Sequence, residues 1–159
     1  MDPGIIGKVA IVTGVASSIG AATVRFLREE GAMVEVWDLN PQSGIPGFLH
    51  QKVDVKNLDT VAAAWHKVEE TLEPVGILVH AAAIGSGHFG FPYTHVPVSA
   101  WQKEFPLSRW HKSEDIASMI VFLSSVRASE VARQTISIDG GCVKPWQAAR
   151  ASRRSQTAA

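Results

Sequence analysis

The sequence predicts an α/β fold built on a doubly wound parallel sheet, and three observations lead there. Short β-branched runs alternate with stretches of helical periodicity along the chain. The first run, Lys8 to Thr13, is apolar almost throughout, as strands covered on both faces are. It is joined to the next run by a single amphipathic segment with short connections, which makes the opening a strand, helix, strand unit with a parallel crossover.

The first strand, Lys8-Val-Ala-Ile-Val-Thr13, stops at Gly14. From Ser17 to Glu30, Ile19, Ala22, Thr23, Phe26 and Leu27 recur at three- and four-residue spacing, with charges mostly opposite them and Gly31 as the stop, so a helix is expected. Val34 to Asp38 is the second strand. Residues 40–47 are loop by their proline, glycine and serine content, and Leu49 to Val55 is a third, more polar strand. Asn57 caps a helix through Leu72 that carries Val61, Ala64, Trp65 and Val68 on one face, and Pro74 closes it. Val75 to Ala81 is the fourth strand. Gly85 to Pro97 is loop, and the helix begun at Ser99 is cut at Pro106. Ser113-Glu114-Asp115 opens a helix to Ser125 with acids in its first turn. Thr135 to Ile138 is a fifth strand, ending at Asp139-Gly140-Gly141.

Composition narrows the function classes. The 159 residues carry 15 Lys and Arg against 15 Asp and Glu, one cysteine and 46% hydrophobic residues, as in ordinary globular domains. Zero net charge excludes a nucleic-acid binder driven by overall charge. No apolar run approaches the length of a membrane span, and the start lacks the basic and apolar regions of a secretory signal, so a cytoplasmic protein is expected. Cys142 alone makes no internal disulfide. Lys144, Arg150, Arg153 and Arg154 close the chain with no acid among them, against 11 basic and 15 acidic residues before them. The expected organisation is therefore one domain over residues 1–143 and a basic, disordered tail over 144–159. The histidines show no paired spacing of metal ligands.

The chemistry concentrates at the turn between the first strand and the first helix. Thr13-Gly-Val-Ala-Ser-Ser-Ile-Gly20 lets the chain bend at Gly14 and presents unpaired N–H groups at the positive end of a helix, where Gly20 permits close packing. An acid, Asp38, ends the second strand 18 residues after Gly20. This opening resembles the short-chain dehydrogenase/reductase family, with Ser18 in place of the family's middle glycine. Further matches follow in family order: Asp54-Val55, then Leu78-Val79-His80-Ala81-Ala82-Ala83 for Leu-Val-Asn-Asn-Ala-Gly, the block Pro106-Leu107-Ser108-Arg109, Glu114-Asp115-Ile116-Ala117, and Gln134 to Gly141. Together they span about residues 5 to 142.

The resemblance implies a Rossmann-like domain and a dinucleotide site. The phosphate turn would use Thr13, Gly14, Ser17, Ser18, Ile19 and Gly20. Asp38 and Leu39 would meet the adenosine ribose, Asp54 and Val55 the adenine, and Ala81 and Ala82 the cofactor beyond. An acid at position 38 repels a 2′-phosphate, which favours NAD over NADP. The family's reaction is hydride transfer on an alcohol or ketone through a serine, a tyrosine and a lysine four residues later. That block is missing: the one tyrosine is Tyr93, and Pro97 stands four residues on. No catalytic residue is therefore assigned. The expected sheet is a shortened one, ordered 3-2-1-4-5, with the last strand beside the fourth. The shortened sheet's exposed edge, or the helix over residues 113–125, would serve a homo- or hetero-oligomer. Three readings stay open: a dinucleotide-binding oxidoreductase relative without its acid/base block, a non-catalytic interaction module, and an internally deleted gene product.

Overall fold

The computed structural model describes residues 3–15, 18–40, 49–82, 107, 109 and 111–140. The chain divides into two compact units, one formed by Met1–Gly85 with Lys112–Gln134 and the other by Ser86–His111 with Thr135–Ala159.

In the first unit, strand β1 (Val9–Thr13) is buried along its whole length, as its uninterrupted apolar run requires. Helix α1 (Ser18–Glu29) follows and stops where Gly31 takes φ +84°, with the Gly31 N–H donating to Arg28 O at 2.9 Å. Strand β2 (Met33–Asp38) and strand β3 (Leu49–Lys52) come next. β3 ends earlier than Val55 because the chain turns at once: the Asn57 N–H donates to Asp54 O at 2.9 Å. Helix α2 (Leu58–Thr71) has the expected cap, Asn57, whose side-chain oxygen accepts from Asp59 N at 2.9 Å and Thr60 N at 3.4 Å. Strand β4 (Val75–His80) and helix α3 (Ser113–Leu123) follow among the described residues. After α3, Ser125 Oγ accepts from Arg127 N at 3.3 Å and caps a 3₁₀ turn, Val126–Ala128.

The strands form a parallel sheet ordered β3-β2-β1-β4. Side-chain alternation sorts the core into two layers. Ala10, Val12, Val34, Val36, Ile77 and Val79 face α1, and Ala21 of α1 with Ile120 and Val121 of α3 packs against them. Val9, Ile11, Trp37 and Val53 face the other way and meet Ala64 and Val68 of α2. Helices thus cover both faces, as the doubly wound reading requires. An Arg25–Glu114 ion pair at 2.9 Å ties α1 to α3.

One expectation fails. Among the described residues the sheet has four strands, and Thr135 to Ile138 form no strand; Ile136 is 41% exposed. A run of four residues becomes a strand where a neighbouring edge pairs its backbone, as β2 does for β3, and among the described residues no strand pairs with this one. The expected loop over 85–97, the interrupted helix at Ser99 and the basic tail over 144–159 lie outside the described residues, as does Ser17.

Candidate functional site

The described residues among those singled out by the sequence lie at the C-terminal edge of the sheet, where open α/β folds place their ligand crevice. β1 and β2 end there together, with Thr13 paired to Trp37, and β4 ends beside them, with Thr13 paired to His80. Thr13 is buried, and its hydroxyl joins two strands: the Ala82 N–H donates to Thr13 Oγ1 at 3.3 Å, and His80 Nδ1 lies 3.0 Å from the same oxygen. The hydroxyl can donate to Nδ1 or accept from it, according to the tautomer of the His80 ring.

Gly14 then turns the chain at φ +73°. A Cβ there would lie 2.3 Å from Ala82 Cα and 2.4 Å from Ala82 N, so only glycine fits between β1 and the residues after β4. The Gly14 N–H is held by Trp37 O at 3.0 Å. Gly20, in the first turn of α1, closes the same turn: a Cβ on it would meet Gly14 O at 2.5 Å. Ser18 opens α1 and Ile19 is half-buried, its carbonyl accepting from Thr23 Oγ1 at 2.9 Å. The first N–H groups of α1 are thereby brought to the sheet edge.

The far side of the crevice is built on β2 and β3. Asp38 is half-buried at the end of β2, and the Asn40 N–H donates to its Oδ1 at 3.0 Å. Asp54 accepts from the Lys56 N–H at 3.0 Å, and its carbonyl accepts from Thr60 Oγ1 at 2.9 Å. Leu39 and Val55, following β2 and β3, leave 58% and 38% of their surface exposed. Exposed apolar side chains beside the two carboxylates suit a flat, partly apolar ligand group. Ala81 and Ala82 are half-buried behind the turn.

Two features of this edge had no signal in the sequence. Trp37 is buried, yet its indole N–H has no hydrogen-bond partner among the described residues. Glu35, two residues before it on the same face of β2, is also buried and accepts from Gln51 Nε2, which donates in turn to Ala64 O at 3.2 Å. Among the described residues no cluster of three metal-ligating side chains occurs, and no helix is long and apolar enough to cross a membrane.

Residues 8–109 match the short chain dehydrogenase family. The chain belongs to the short-chain dehydrogenase/reductase family. Its similarity extends to an acetoacetyl-CoA reductase of Synechocystis, 37% identical over 89 residues that cover 56% of this chain and 37% of the relative. A 2-dehydro-3-deoxy-L-rhamnonate dehydrogenase (NAD(+)) of Sphingomonas is 33% identical over 116 residues, covering 69% of this chain and 42% of the relative. The fold is also that of the ligand-free aldohexose dehydrogenase of Thermoplasma acidophilum, with a TM-score of 0.72 at 18% identity over 87% of this chain and 94% of that one. The chain spans less than half the length of the curated relatives it matches. Short-chain dehydrogenases use a nicotinamide dinucleotide, and the residues at this edge fit its adenosine half: a glycine turn without room for a side chain, a helix N-terminus, and a carboxylate at the end of β2.

Proposed function

We propose that this chain is a dinucleotide-binding short-chain dehydrogenase core that takes NAD in preference to NADP, and that binding rather than turnover is what it retains. The observation that carries the reading is the turn at Gly14, clamped between Thr13 and Ala82 and closed by Gly20, with Asp38 on the adjoining strand. In this reading the N–H groups opening α1 receive the pyrophosphate, and Asp38 accepts from the adenosine ribose hydroxyls. A carboxylate there disfavours the added charge of a 2′-phosphate. The Sphingomonas relative is named as an NAD(+) dehydrogenase, which agrees with that choice.

When bound, the nicotinamide supplies a hydride donor or acceptor. The chain's own part in a reaction would be to move the coupled proton, and the sequence has no Tyr-x-x-x-Lys pair to do so. His80, at the same edge, has its Nδ1 engaged with Thr13.

The test is thermal unfolding with and without NAD or NADP, followed by calorimetric titration and by a hydride-transfer assay on small alcohols and ketones. At about 100 times its Kd a ligand adds about 2.7 kcal/mol of stability. The expected result is a transition raised by NAD more than by NADP, a loss of that difference in Asp38→Ala, and no turnover. A transition that neither nucleotide moves overturns the assignment.

A further inference from the structure

We propose that Gln51, seated against the buried Glu35, is a positioning residue of the nucleotide site: it fixes the Asp54–Val55 turn relative to Asp38 and so sets recognition of the adenine amino group. The inference rests on the NAD reading, in which Asp54 and Val55 meet the adenine.

A carboxyl in the middle of a covered strand needs a reason. Glu35 is 3% exposed on β2, in register with Ile11 of β1 and Leu49 of β3, and it shares the α2 face with Trp37. An aliphatic side chain at that position would pack without taking a polar group out of water, so the carboxyl is retained for what it holds.

It holds the amide of Gln51. Gln51 Nε2 donates to Glu35 Oε1 and to Ala64 O, the second bond at 3.2 Å. A carboxamide nitrogen carries two N–H groups, so both bonds are made together. Ala64 is buried in the interior of α2, and the second bond therefore fastens the body of the helix. One side chain of β3 links β2 to α2.

These links lead to the crevice. Glu35 stands three residues before Asp38, and Gln51 three before Asp54. The Val53 N–H donates to Asp38 O at 3.0 Å, which carries the two segments side by side to the end of β2. Past that point the Asp54 carbonyl is held from α2, by Thr60 Oγ1 at 2.9 Å, while the Lys56 N–H orients the Asp54 carboxylate at 3.0 Å. The place of that carboxylate thus follows α2, and α2 is tied to the strand of Asp38 through Gln51. The adenine 6-amino group donates to a carboxylate, whereas hypoxanthine presents a carbonyl oxygen at the same position, acceptor against acceptor. A carboxylate held in place tells the two bases apart better than one whose support has loosened.

Calorimetric titration of the purified chain with NAD and with nicotinamide hypoxanthine dinucleotide tests this, alongside thermal unfolding of each variant. The wild-type chain is expected to prefer NAD by roughly tenfold or more. Glu35→Leu combined with Gln51→Leu removes both partners and leaves no buried polar side chain unpaired, so the thermal transition stays near that of the wild type while the preference falls at least about threefold. Glu35→Gln still offers an oxygen to the Gln51 amide and keeps the preference. Gln51→Asn, too short to span both acceptors, loses it, and decides the matter if the double variant does not fold. A purely structural link lowers the transition and leaves the ratio of the two affinities unchanged, and that result overturns the proposal. So does a wild-type chain that binds both dinucleotides equally. A wild-type chain that binds neither marks failure of the NAD reading itself, and this proposal falls with it.

Discussion

The Thr13 hydroxyl lies 3.0 Å from His80 Nδ1 and accepts from the Ala82 N–H at 3.3 Å, so one buried side chain closes the end of β4 onto the end of β1. Thr13→Val keeps the shape and removes both bonds. It leaves the Ala82 N–H without that acceptor, so a loss of about 1–3 kcal/mol is expected in urea unfolding. His80→Asn, whose amide can still reach the hydroxyl, is expected to lose less. Equal losses would show that the asparagine amide does not replace the imidazole at this position.

Gly14 and Gly7 have the same backbone angle, φ +73°, in different surroundings. A Cβ on Gly7 has nothing within 4 Å, whereas one on Gly14 would strike Ala82. Gly7→Ala therefore measures the left-handed penalty alone, about 1–2 kcal/mol. Gly14→Ala adds overpacking of a further 1–3 kcal/mol, roughly, and is expected to abolish the thermal response to NAD. Comparison of the two denaturation midpoints and of the two nucleotide shifts checks both statements.

Glu114 opens α3, where its own backbone N–H, and after it the Arg25 guanidinium at 2.9 Å, hold its carboxyl below the ordinary value of 4.5. A carboxyl lowered in the folded state stabilises above its unfolded pKa and loses that contribution as pH falls through the folded one. Glu114→Gln is therefore expected to flatten the stability profile below about pH 5 and to leave the pH 6 to 8 region unchanged in slope. Both groups are about half exposed, so added salt is expected to shrink the difference.

Trp37 is buried with an indole N–H that finds no partner among the described residues. Replacing the indole with a phenyl ring removes that donor along with some packing. Trp37→Phe is accordingly expected to change stability by less than about 1 kcal/mol, against about 3–5 for Trp37→Ala. A phenylalanine variant as damaged as the alanine one would show that the N–H is engaged.

What could be read from the sequence was local. The helix from the Asn57 cap to Leu72 was legible to within a residue at each end because a side-chain cap and a proline stop act over a few positions. The glycine turn was legible because the left-handed angle at Gly14 selects its residue. Thr135 to Ile138 misled because a β run is only a candidate until a partner edge and enough burial accept it, and neither is written in four residues. The Arg25–Glu114 pair, 89 positions apart, and the Trp37 indole that finds no partner among the described residues depend on how distant segments pack, and no local pattern announces them.

The clamp on Gly14 also bears on the order of events as the chain folds. β1, α1 and β2 are contiguous and close over short loops, whereas the contact from Thr13 to His80 spans 67 positions and waits for α2. A nascent chain that has reached Asp38 already carries the whole glycine motif, but the wall that fixes it, Ala81 and Ala82, is synthesised far later. Nucleotide affinity would then appear late and abruptly during synthesis, with the arrival of β4, and stalled chains ending before Val75 would bind no nucleotide despite an intact motif.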